Sequence, residues 1–96
     1  MTSQRTDPSA AVEQLRSRIG EVDRELVELL AERVRLAREI GDLKRNGERA
    51  TLDPAREAAV IRTATQAGRE AGLDPEDTRE LLWTVIGICR RAQLSG

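Results

Sequence analysis

The apolar residues in the first half of the chain recur in steps of three and four: Val12, Leu15, Ile19, Val22, Leu26, Leu29, Leu36, Ile40 and Leu43. That spacing makes a heptad seam along one side of a helix. The pattern predicts a single helix from about Pro8 to about Asn46. With a rise of about 1.5 Å per residue, it would be roughly 55–60 Å long. A compact monomer of this size has a radius of gyration of only about 12–13 Å. The helix overshoots such a domain, so its seam needs a partner. A second copy of the chain is the simplest one, and an intertwined helical homodimer is the expectation.

Two shorter amphipathic stretches follow. One carries Val60, Ile61, Ala64 and Ala67 on a face, the other Leu81, Leu82, Val85, Ile86, Cys89 and Ala92. All three prolines follow an aspartate, at Asp7-Pro8, Asp53-Pro54 and Asp74-Pro75. Aspartate caps the free N–H groups of a helix start, and proline suits the first helical position, where its missing N–H costs nothing. Three starts imply three helices. Gly47, after the basic Lys44 and Arg45, and Gly72, before Leu73, read as stops. The fold class expected is all-α, with three helices per chain and a long first one. Residues 1–6 read as a disordered tail and 7–96 as one domain.

Composition supports helices and narrows the function. Trp83 is the only aromatic residue, whereas sheet domains favour aromatic and β-branched side chains. The net charge is −1, with no basic excess for a nucleic acid to meet. No run approaches the ~18 apolar residues that span a membrane. The N-terminal stretch lacks the apolar core of a signal peptide. One cysteine, Cys89, allows no internal disulfide, in keeping with a reducing compartment. A cytoplasmic protein is expected. Histidine is absent, which removes Ser-His, Cys-His and His-metal chemistry. Lys44 is the only lysine beside fifteen arginines, so it is a candidate for a task that Arg cannot fill.

Arg33 falls on the heptad seam between Leu29 and Leu36, where a lone charge is costly unless paired. Lys44 lies eleven residues on, only about 20° around the helix, with Ala37 and Ile40 between. Two cations flanking a small apolar patch suit an anionic ligand. An internal salt bridge to Glu57 or Asp53 accounts for them equally well. Arg16, beside Leu15, reads as a solvated flank residue. In an antiparallel helix pair, however, it would approach the partner's Arg33. Glu57 in a first helical turn is ordinary dipole complementation. Gln93 near a helix end reads as a polar terminus, and Cys89 as a small core residue.

Taken together, the ordered set resembles the AroQ-type chorismate mutases. It comprises Leu15-Arg16, Val22-Asp23, Ala31-Glu32-Arg33, Ile40-Gly41, Lys44, Asp53-Pro54-Ala55-Arg56-Glu57 and Gln93, with Gly68 and Leu73-Asp74 also fitting. Lys44 stands nine residues before Asp53, and Arg56 and Glu57 stand three and four after it. The resemblance implies a Claisen rearrangement of chorismate to prephenate, with no cofactor, no metal and no covalent intermediate. Catalysis would rest on positioning and electrostatics. By resemblance, Arg33 and the partner chain's Arg16 hold the two substrate carboxylates. Lys44 and Gln93 donate to the ether oxygen. Glu57 accepts from the ring hydroxyl, the backbone near Asp53 assists, and Arg56 supports one carboxylate. Cys89 stands where relatives often carry Ser, which puts one substrate-binding hydroxyl in doubt, and Leu52 and Pro54 alter the loop before the second helix.

The same scaffold suits sister reactions. A 4-amino-4-deoxychorismate mutase would keep nearly every residue, with Glu57 facing an amine. An isochorismate-pyruvate lyase fits less well, because lyase relatives tend to lose the acid that Glu57 supplies. A plain helical dimerisation module gives no reason for charges on the seam. Some relatives act in complex with the first shikimate-pathway enzyme, and the sequence leaves open both that partner and feedback control. It also leaves open whether the pathway is primary aromatic amino acid biosynthesis or a secondary route.

Overall fold

The computed structural model describes residues 7–47 and 53–94. They form three α-helices: α1 (Pro8–Gly47), α2 (Pro54–Glu70) and α3 (Pro75–Leu94). The tail expected at residues 1–6 and the loop residue Leu52 lie outside the described residues. None of the helices is long and apolar enough to cross a membrane.

Each helix starts where an Asp-Pro pair stands. The Asp7 carboxylate accepts from the Ser9 N–H at 3.1 Å. Asp53 accepts from the Arg56 N–H at 3.0 Å, and Asp74 accepts from Glu76 at 2.7 Å and Asp77 at 3.3 Å. These bonds satisfy N–H groups that have no partner inside the helix. Helix α2 ends in a double backbone closure: Leu73 N–H donates to the Gly68 carbonyl at 2.8 Å, and Gly72 N–H to the Arg69 carbonyl at 3.1 Å. The closure needs a left-handed residue, and Gly72 supplies it with φ 87°. Helix α1 runs one residue past its expected end, through Gly47, with Lys44 and Arg45 in its last turn.

The chain divides between Ala31 and Glu32 into two units. In the first, α1 presents Val12, Leu15, Ile19, Val22, Leu26 and Leu29 with 43–64% of their surface exposed. This stretch of the heptad seam is exposed along the helix.

The second unit holds the buried residues: Ala37 of α1, Ile61 of α2, and Ile86, Cys89 and Ala92 of α3. Helices α2 and α3 pack on each other. Thr65 and Thr78 are buried as well, and each turns its hydroxyl to a carbonyl one turn back, Ile61 at 2.7 Å and Asp74 at 3.1 Å. The buried stripe of α2 is Ile61, Thr65 and Gly68, whereas the hydropathy pattern favours Val60, Ala64 and Ala67 beside Ile61. Ala67 is exposed, and so is Leu81 on α3. Small residues let two helix backbones approach closely, so size outweighs hydropathy in choosing the inner face. The same holds on α1, where Ala37 and Gly41 are buried while Leu36 and Ile40 stay about half exposed.

Candidate active site

In the second unit, the inner face of α1 carries Arg33, Ala37, Gly41 and Lys44, with both cations half-buried. The eleven residues from Arg33 to Lys44 return the helix to nearly the same direction, about 20° apart. Ala37 lies between them as expected. Gly41 takes the buried place assigned to Ile40, which remains about half exposed.

Helix α3 meets this face. Arg33 Nη1 donates to Cys89 Sγ at 2.9 Å. One turn further along α3, Gln93 comes against Gly41. A Cβ at residue 41 would run into the Gln93 carbonyl oxygen and stand 3.1 Å from Gln93 Cγ. A hydrogen atom at that position is therefore what allows α1 and α3 this approach. Arg45 fastens the junction, donating to the Gln93 carbonyl at 2.9 Å while it pairs with Asp42. The Lys44 ammonium has no carboxylate within ion-pairing distance among the described residues.

Helix α2 contributes Glu57, whose side chain is 21% exposed. One terminal nitrogen of Arg90 on α3, Nη2, donates to both of its oxygens, at 2.6 and 2.5 Å. The Arg90 Nε is buried and has no hydrogen-bond partner among the described residues. Asp53 caps α2, and Arg56 lies exposed on the first turn of the same helix. The internal salt bridge from Glu57 or Asp53 to Arg33 or Lys44, the alternative to an anion site, is not formed among the described residues: Glu57 pairs with Arg90, and Asp53 caps the α2 backbone.

The second unit accordingly brings Arg33 to Cys89 and sets Gln93 on the face that carries Lys44. Arg16 belongs to the first unit, where it is exposed and paired with Glu13 at 3.1 Å, as a solvated flank residue would be. Arg90 was missed by sequence reasoning. A signal existed, since Arg90 lies four residues after the buried Ile86 and three before Gln93, inside the apolar stripe of α3. A cation there asks for a buried counter-charge, as Arg33 does on α1.

Chemically, the face offers two half-buried cations and a primary amide, and α2 and α3 add a carboxylate already held by a guanidinium. Two cations and an amide are groups that can bind a small anion and stabilise negative charge developing on oxygen. Fold and site together define a class: a three-helix protein whose long first helix carries a cationic inner face. The family model of chorismate mutase type II matches residues 15–94, and the chain belongs to that family. No individual curated protein matches it.

Proposed function

We propose that the protein is a chorismate mutase, converting chorismate to prephenate as a homodimer. The observation that carries this reading is the family match across residues 15–94, joined to the Arg33–Lys44 face against Cys89 and Gln93. In the rearrangement the ether C–O bond breaks as the enolpyruvyl carbon bonds to the ring. No proton moves and no electron acceptor is required. Negative charge grows on the ether oxygen, and Lys44 with Gln93 donates to it. A compact ammonium suits a point-like charge, which gives the lone lysine its task. Arg33 grips one carboxylate, and Arg16 of a second copy grips the other, fixing the reactive conformer. Glu57 accepts from the ring hydroxyl, while Asp53 and Arg56 border it. Cys89 lines the same wall.

The exposed seam of α1 supports the dimer. Fully covering each Leu, Ile or Val side chain is worth about 1.5–3 kcal/mol, and such a row of residues favours association. The test is direct. Purified protein at micromolar concentration should deplete chorismate absorbance and yield prephenate, and it should sediment as a dimer. Absence of turnover at millimolar chorismate sinks the reading.

A further inference from the structure

We infer that Arg90 sets substrate choice, making the site select a neutral ring hydroxyl over a ring ammonium. The inference rests on the reading of Glu57 as the contact to that ring substituent. A bare carboxylate accepts from a hydroxyl and attracts an ammonium strongly, so Glu57 alone would favour the amine analogue. Glu57 is not bare. Arg90 Nη2 touches both oxygens at 2.6 and 2.5 Å, in a pair that is mostly shielded on the Glu57 side. A carboxylate offers about four lone-pair positions, and this arrangement uses one on each oxygen. One position on each oxygen remains, which is enough to accept from a hydroxyl. The local charge, however, is already neutral. An ammonium brought there meets the guanidinium's repulsion in a partly desolvated place, where charge interactions are stronger than in water. The Arg90 Nε is buried, while the side chain as a whole stays 38% exposed, so the guanidinium is shielded on its inner side. Arg90 acts through Glu57 and is a specificity-determining positioning residue.

The test compares kcat/KM for chorismate and for 4-amino-4-deoxychorismate, in wild type, Arg90→Gln and Arg90→Lys. Wild type should favour chorismate by at least about tenfold, a 1.4 kcal/mol discrimination. Arg90→Gln keeps a donor but removes the charge, and should shift the ratio toward the amine by roughly tenfold or more. Arg90→Lys keeps the charge, and its ratio should stay within about threefold of wild type. A structural role alone lowers both substrates together, with a parallel fall in thermal midpoint and no change in ratio, and that outcome overturns the inference. A wild-type preference for the amine overturns it without any variant being needed. Turnover of neither substrate by folded wild type would instead remove the mutase reading on which the inference stands.

Discussion

Arg33, on the inner face of α1, donates to the Cys89 sulfur at 2.9 Å, so the principal carboxylate-binding cation of the proposed site rests on a thiol. Sulfur is a weak acceptor, and S–H is a weak donor. A hydroxyl in its place would accept from Arg33 and also donate to a substrate carboxylate. Cys89 is buried, and serine is slightly smaller, so the fold should tolerate the change. Cys89→Ser is therefore expected to lower KM for chorismate by roughly threefold to tenfold, with kcat within about twofold, as one added hydrogen bond of ordinary net strength would do. Steady-state kinetics checks it. A raised KM with an intact helical spectrum would mean that the sulfur is not adjacent to the bound carboxylate.

Gly41 makes a prediction in which two effects have opposite signs. In the middle of a helix, alanine is favoured over glycine by about 1 kcal/mol. At residue 41, however, the added Cβ would run into the Gln93 carbonyl oxygen, which is backbone. Overpacking of that kind typically costs about 1–3 kcal/mol, so it should win. Gly41→Ala is expected to destabilise the protein and to lower kcat as Gln93 is pushed away. Chemical denaturation with parallel kinetics reads both effects. A stabilised variant of unchanged activity would show that α1 and α3 do not approach here.

Much of this architecture was legible in the chain. The Asp-Pro pairs carry the physics of helix initiation in two adjacent residues, and all three mark observed starts. Gly72 likewise announced the end of α2. Helix faces were read less well, because hydropathy favours Ala67, Ile40 and Leu81 while packing selects Thr65, Gly68 and Gly41. Backbone separation decides between those sets, and it depends on a partner helix distant in sequence. Arg33 stands out because it interrupts a regular seam, and Lys44 because it is the only lysine and lies nearly in line with Arg33 on the helix. The bond between Glu57 and Arg90 joins residues 33 positions apart, on two helices, and no local pattern couples them.

Lys44 is half-buried on the face of α1 that also carries Arg33. Replacing it should separate catalysis from stability. Lys44→Ala is expected to reduce kcat by about 10²–10³-fold or more, the usual scale for removing one donor to a developing oxyanion. Thermal midpoint and helical content should change little. Lys44→Arg should recover only a small part of the rate, because a planar fork is a poor substitute for a point charge. Full activity in Lys44→Ala would remove the proposed site.

Arg16 and Arg33 provide the sharpest test of a shared site. Within one helix they are 17 residues apart, about 25 Å along the axis, too far for both to hold one small dicarboxylate. If each site takes Arg33 from one copy and Arg16 from the other, a dimer has two sites of that kind. In a mixed dimer of Arg16→Ala and Arg33→Ala chains, both lesions fall in one site and the other site is wild type. Each variant alone should be nearly inactive. An equimolar mixture that exchanges freely forms about half mixed dimers, each with one intact site, so about a quarter of wild-type activity should return. Mixing under conditions that permit exchange, with mass spectrometry to confirm mixed dimers, is the measurement. Mixed dimers that stay inactive would place both arginines' effects within a single chain, and the exposed seam of α1 would then need another explanation.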